Sequence, residues 1–130
     1  MAARKLLLIE DNLDNQTLVK FALEAGKDWE VLTAFDGIEG ITKAESERPD
    51  VILLDLFMPG LDGLEVCEIL KDNLFTCSIP IVFITAITQP KILARLETTL
   101  AEGVIIKPVD ILNLNSQIAK FCEWESSDCA

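Results

Sequence analysis

The sequence predicts an α/β domain on one doubly wound, five-stranded parallel sheet with helices on both faces, and three observations carry that prediction. Short apolar runs alternate five times with longer stretches of helical periodicity. The middles of those runs are almost all Val, Ile, Leu and Phe rather than alternating with polar residues, as strands covered on both faces require. Ionisable groups gather where runs end: Leu6-Leu7-Leu8-Ile9 leads into Glu10-Asp11, Val51-Ile52-Leu53-Leu54 into Asp55, and Gly103-Val104-Ile105-Ile106 into Lys107.

The strands are expected over Lys5 to Ile9, Glu30 to Ala34, Val51 to Leu54, Ile81 to Thr85 and Val104 to Ile106. Thr33 inside the second marks it as an edge. Between them, Leu18, Phe21, Ala22 and Ala25 recur at helical spacing, then Ile38, Ile41 and Glu45, then Val66, Ile69, Leu70 and Asn73. A fourth helix is expected over residues 89 to 100, opened by Pro90 in its first turn. The last helix carries Ile111, Leu114, Ile118, Phe121 and Cys122, with Asp110 as its N-cap. Residues 1–124 read as one domain and 125–130 as a flexible tail.

Right-handed crossovers leave a flavodoxin-like strand order of 2-1-3-4-5 or a six-stranded Rossmann half, and the chain is one strand short for the second. In the first order, strands one and three are neighbours whose helices leave on opposite faces. Asp11 and Asp55 then flank the crevice at the switch point, with Thr85 and Lys107 at the same end of the sheet.

Composition narrows the chemistry. Eleven basic against twenty-two acidic residues give a net charge of −11, which repels phosphate backbones and argues against direct nucleic-acid binding. No apolar stretch is long enough to span a bilayer and the N-terminus lacks a signal-peptide core, so no membrane partner and a cytoplasmic location are expected. The length suits one domain and leaves no room for an appended output domain. With no histidine, Ser-His and Cys-His catalysis are excluded; Cys67, Cys77, Cys122 and Cys129 show no C-x-x-C spacing and read as reduced, incidental thiols.

Clustered carboxylates repel one another, and a divalent cation relieves that repulsion. Mg2+ takes hard oxygen ligands, typically one or two carboxylates plus phosphate oxygens. With the ion between Asp11 and Asp55, Lys107 neutralising a phosphoryl oxygen and Thr85 donating to another, Asp55 is the natural nucleophile for an aspartyl phosphate. Each residue alone also has a structural reading. Asp11 or Asn12 serves as a helix cap, Asp62-Gly63 as a turn, Thr85 as a strand-end cap and Lys107 as a solvated lysine. Gly60 and Gly63 read as turn residues, and Phe57 and Met58 as core. The functional reading rests on their joint placement at strand ends.

Together, Glu10-Asp11, Asp55 in Asp55-Leu56-Phe57-Met58-Pro59-Gly60, Thr85-Ala86 and Lys107-Pro108, at these intervals, resemble a response-regulator receiver domain of two-component signalling over essentially the whole chain. The resemblance implies that Asp55 accepts a phosphoryl group from a histidine kinase or phosphotransfer protein, while Glu10, Asp11, Asp55 and the Phe57 carbonyl hold Mg2+. It implies Thr85 and Lys107 on the phosphoryl oxygens, a cis Lys107-Pro108 bond, and output through a downstream protein. The chain would catalyse its own phosphorylation and dephosphorylation without turning over phosphate esters. A homodimer is compatible with this and has no sequence handle.

One position departs from the family: the aromatic residue usual three places before the lysine is Val104, so the aromatic half of the Thr85 switch is absent. Readout is then expected through backbone shifts of the loop from Thr85 to Pro90 or through association. An FMN carrier of flavodoxin type is disfavoured by the acidic loop Glu10-Asp11-Asn12-Leu13-Asp14-Asn15, and a haloacid-dehalogenase-type phosphatase by Phe57 where a second Asp is needed. A phosphate-independent, receiver-like scaffold is the remaining rival, supported by Val104 and opposed by the retained acid cluster.

Overall fold

The structure, a computed structural model, describes residues 4–25, 29–58, 60–86, 88–107, 110 and 113–122. Strands and helices alternate: β1 (Arg4–Ile9), α1 (Leu13–Ala25), β2 (Trp29–Ala34), α2 (Gly37–Glu47), β3 (Val51–Asp55), α3 (Gly63–Lys71), β4 (Ile81–Thr85), α4 (Pro90–Glu97), β5 (Gly103–Ile106) and α5 (Leu114–Cys122). The five strands form one sheet in the order β2-β1-β3-β4-β5, every pair parallel, as the sequence predicts.

Alternate side chains of each strand feed two cores. Leu6, Leu8, Leu53, Val82, Ile84 and Ile105 face α1 and α5. Leu7, Ile9, Ile52, Leu54, Ile81 and Phe83 face α2, α3 and α4. Every residue of β3 and β4 is buried, which is why those segments read as unbroken apolar runs. Burying one such Leu or Ile side chain is worth about 1.5–3 kcal/mol before the entropy of ordering it. Trp29 is buried at the start of β2, at the end of the sheet opposite the acidic residues, and its Nε1 donates to Asn115 Oδ1 at 2.5 Å. Trp124 lies outside the described residues, as do Pro108 and the 125–130 tail. Among the described residues Cys67 and Cys77 are free thiols, and no helix is long and apolar enough to cross a membrane.

Helix starts follow side-chain chemistry. Asn12 Oδ1 accepts from Asn15 N at 2.9 Å ahead of α1, and Asp36 Oδ1 accepts from Glu39 N at 2.8 Å ahead of α2. Asp62 is the N-cap of α3 in a reciprocal capping box with Glu65, rather than part of a simple turn. Pro90 opens α4 as expected, but the helix stops at Glu97 instead of reaching residue 100. The Thr98 and Thr99 hydroxyls donate back to the Arg95 and Leu96 carbonyls at 2.7 and 2.6 Å, offering the backbone an alternative to another helical turn. Asp110 is not the N-cap of α5, which begins at Leu114; its carboxylate accepts from the Asn113 side-chain amide at 2.6 Å. Ile111 lies outside the described residues, while Leu114, Ile118 and Cys122 are buried as read.

Two helices bury a different face from the one hydropathy suggests. In α1 the buried residues are Gln16, Val19, Ala22 and Leu23, leaving Leu18 and Phe21 47% and 73% exposed. In α2 they are Gly37, Gly40 and Ala44, with Ile38 70% exposed. A Cβ on Gly40 would collide with the Ile9 side chain, and one on Gly37 would stand 2.6 Å from Val66 Cγ2. Helix α2 therefore lies so close to sheet and neighbour that only its small residues fit inward. In α3, Val66 and Leu70 point inward with Cys67, Ile69 is 40% exposed, and Asn73 lies beyond the helix end.

Candidate functional site

The C-terminal ends of β1, β3, β4 and β5 bring Glu10, Asp11, Asp55, Thr85 and Lys107 to one edge of the sheet, with β1 and β3 adjacent at the switch point. Because β1 runs without a break into Glu10, that side chain is carried into the interior and is 2% exposed. Asp55 is the last residue of β3 and Thr85 the last of β4, and both are buried. Asp11 is exposed. One carboxylate oxygen from each of Glu10, Asp11 and Asp55 lies within 4.8 Å of the others.

Lys107 closes the other side. Its backbone N–H donates to the Thr85 carbonyl at 2.8 Å, tying the end of β5 to β4. Its Nζ stands 2.9 Å from Glu10 Oε1 and 3.7 Å from Asp55 Oδ1. One cation thus serves two buried acids, with Asp11 at the mouth. Burial pushes the Asp55 carboxyl from 3.8 up to about 7; the hydrogen bond with Glu10 and the charges of Glu10 and Asp11 add to the rise, and Lys107 partly opposes it. Glu10 Oε2 also accepts from Asn12 N at 3.2 Å.

The chain after Asp55 turns sharply. Leu56 and Met58 enter the core and Phe57 does not: the residue is 55% exposed, contrary to the core reading, because successive residues leaving an extended strand face opposite ways. Gly60 sits at φ +79, a turn position as read. Gly63 does more than turn the chain. Its N–H donates to the Leu56 carbonyl at 2.8 Å, and a Cβ there would lie 2.5 Å from the Asp55 carbonyl oxygen and 2.8 Å from Leu56 Cα. The first turn of α3 rests directly against the backbone that carries Asp55. Val104 packs, partly buried, on the face shared with α4, beside Phe83 in register.

Two supporting residues escape a hydropathy reading. Gln16, 5% exposed on α1, donates from Nε2 to the carbonyls of Glu10 and Ala34 at 3.2 and 3.3 Å. Gly63 carries a signal only as the residue after an N-cap Asp, which does not reveal the backbone it will meet.

Comparisons with known proteins agree with this fold. The sequence model of the response regulator receiver domain family matches residues 6–119. The chain is 39% identical over 126 residues to response regulator PleD of Caulobacter vibrioides, covering 96% of this chain and 27% of that protein. It is 32% identical over 108 residues to the polar-differentiation response regulator DivK of Brucella anthropi, covering 83% of this chain and 87% of that one. The chain thus spans about a quarter of PleD and most of DivK. Among solved structures, chemotaxis protein CheY4 of Vibrio cholerae superposes with a TM-score of 0.85 at 28% identity, covering 92% of this chain and 99% of that one. The receiver domain of a sensor histidine kinase from Pseudomonas aeruginosa, described with magnesium coordinated in its active-site cleft, does so at 0.85 and 26%, covering 94% and 99%. The chain belongs to the response regulator receiver domain family, the phosphoacceptor class of two-component signalling.

Proposed function

We propose that Asp55 takes a phosphoryl group from a phosphohistidine on a histidine kinase or phosphotransfer protein in a magnesium-dependent reaction, and that the signal passes on by contact with a downstream protein. The observation that carries the reading is the buried Asp55–Glu10 acid pair with Lys107 Nζ 2.9 Å from Glu10 and 3.7 Å from Asp55, open to solvent through Asp11. A purely structural core has no use for a buried acid held at raised pKa.

The donor set fits Mg2+: three hard carboxylate oxygens within reach of one another, with too few cations among the described residues beside them to neutralise all three. Glu10, Asp11, Asp55 and the Phe57 carbonyl are the groups assigned to hold it. Bound there, magnesium supplies positive charge that favours the ionised acids and attracts an incoming phosphoryl group.

An ionised Asp55 oxygen attacks phosphorus. The new P–O bond forms as the P–N bond of the donor breaks, and the electron pair of that bond leaves on the imidazole nitrogen. Lys107, already bridging both acids, follows the negative charge onto a phosphoryl oxygen, and the Thr85 hydroxyl donates to another. Water attack on the acyl phosphate later returns Asp55 and inorganic phosphate, so the domain resets itself and does not turn over esters. Residues 1–124 form the receiver and 125–130 a tail in this reading, in the cytoplasm, with no direct role in nucleic-acid binding given the net charge of −11. Val104 offers no ring to follow Thr85, so readout falls to the loop leading into α4 or to association, a homodimer included.

Intact mass after incubation with Mg2+ and acetyl phosphate tests the proposal, with Asp55→Asn alongside. The parent should gain one phosphoryl group and the variant none. No gain from acetyl phosphate or from a phosphorylated histidine donor overturns it in favour of a phosphate-independent binding module.

A further inference from the structure

Beyond the residues that meet the phosphoryl group, we infer that Gln16 is a positioning residue that sets the peptide plane between Glu10 and Asp11 and so aims two of the three clustered carboxylates. The inference rests on the proposed magnesium-dependent function.

The β1–β2 ladder ends at the pair Ile9 and Ala34, followed by one further bond from Glu10 N to the Ala34 carbonyl at 3.0 Å. Past that point β2 turns away: Phe35 N donates to Glu39 Oε1 at 2.7 Å, and Asp36 caps α2. The Glu10 carbonyl has therefore lost the strand that would continue the ladder. The Gln16 side chain fills that place, with Nε2 3.2 Å from the Glu10 oxygen and 3.3 Å from the Ala34 oxygen. Its two amide hydrogens match two carbonyls on adjacent strands.

The Glu10 carbonyl belongs to the same rigid peptide unit as the Asp11 N–H. Holding that oxygen fixes how the chain rotates between the two Cα atoms, and hence where the Glu10 and Asp11 side chains leave the backbone. Glu10 is buried and ion-paired to Lys107, and Asp11 stands exposed at the mouth. A twist of the intervening plane would move one carboxylate relative to the other. A helix buries a glutamine at 5% exposure at the cost of desolvating its amide, which these two bonds offset.

Gln16→Met keeps the length of the side chain and removes both donors. Mg2+ affinity, measured by calorimetry on the unphosphorylated protein, should weaken about tenfold, as for groups that orient metal ligands without touching the metal. Val19→Ala, on the same helix and in the apolar core, controls for stability: it should lower the unfolding midpoint and leave Mg2+ affinity at the parent value. Parent-like affinity in Gln16→Met, or equal weakening in both variants, overturns the inference while leaving the proposed function standing. A parent protein that binds no Mg2+ overturns both. If Gln16→Met does not fold, the parent decides by NMR. The Gln16 side-chain amide hydrogens should be protected from exchange and shift on adding Mg2+, and rapidly exchanging, unresponsive ones sink the inference.

Discussion

Asp55→Asn should make the protein more stable, and by an amount that depends on pH. The Asp55 carboxyl holds its proton up to about pH 7 in the folded protein, chiefly because it is buried and then because Glu10 stands beside it. In the unfolded chain it releases that proton near 3.8. Between those values the native state binds more protons than the unfolded state, so stability falls as pH rises from about 4 to about 7 and levels off above. A displacement of about three pH units at about 1.4 kcal/mol each sets a ceiling on the order of 4 kcal/mol. Water at the pocket mouth screens part of this, and about 2 kcal/mol is the expected penalty at pH 8. Asparagine has nearly the same shape and no charge to desolvate. With chelator present, urea unfolding should show Asp55→Asn about 2 kcal/mol more stable than the parent at pH 8, roughly 6–10 °C in melting temperature, and about 1 kcal/mol or less at pH 5, where only the first part of the penalty has developed. Mg2+ at pH 8 should narrow the gap by binding the folded parent. A variant no more stable than the parent at pH 8, or a gain of the same size at both pH values, refutes the electrostatic argument.

Two further substitutions probe the walls of the site. Gly63→Ala puts a methyl 2.5 Å from the Asp55 carbonyl oxygen, so α3 or the end of β3 must move; the expected loss is about 1–3 kcal/mol in urea unfolding, with slower phosphorylation by acetyl phosphate. Parent-like values of both would show that the close approach does not matter. Lys107→Met leaves Glu10 and Asp55 without their shared cation. Phosphorylation, followed by intact mass, should slow by at least about tenfold, the loss of one charge-assisted bond at the transferring group, and an unchanged rate would remove Lys107 from the mechanism.

The sequence made the sheet and the acid cluster legible for one physical reason: a strand buried on both faces must be apolar, so an ionisable residue at its end stands out against the run. Glu10, Asp55 and Lys107 were each visible in this way, and the structure brings all three together. Helix faces gave a weaker signal. Hydropathy placed Leu18, Phe21 and Ile38 inward, whereas α1 buries Gln16 and α2 buries two glycines. What decides those faces is tertiary. Helix α2 is drawn in until only Gly37 and Gly40 fit against Val66 and Ile9, and Gln16 is buried because its amide bonds the Glu10 carbonyl past the end of the ladder and shares the Ala34 carbonyl with the Glu10 N–H. The residues missed therefore share a character: each satisfies a constraint imposed by another segment of backbone, which no local pattern records. Gly63 and Gln16 flank the acid cluster from opposite faces of the sheet, one against the Asp55 backbone and one on the Glu10 carbonyl. The geometry of this edge thus depends on carboxylates that the sequence announces and on backbone supports that appear only once the chain is folded.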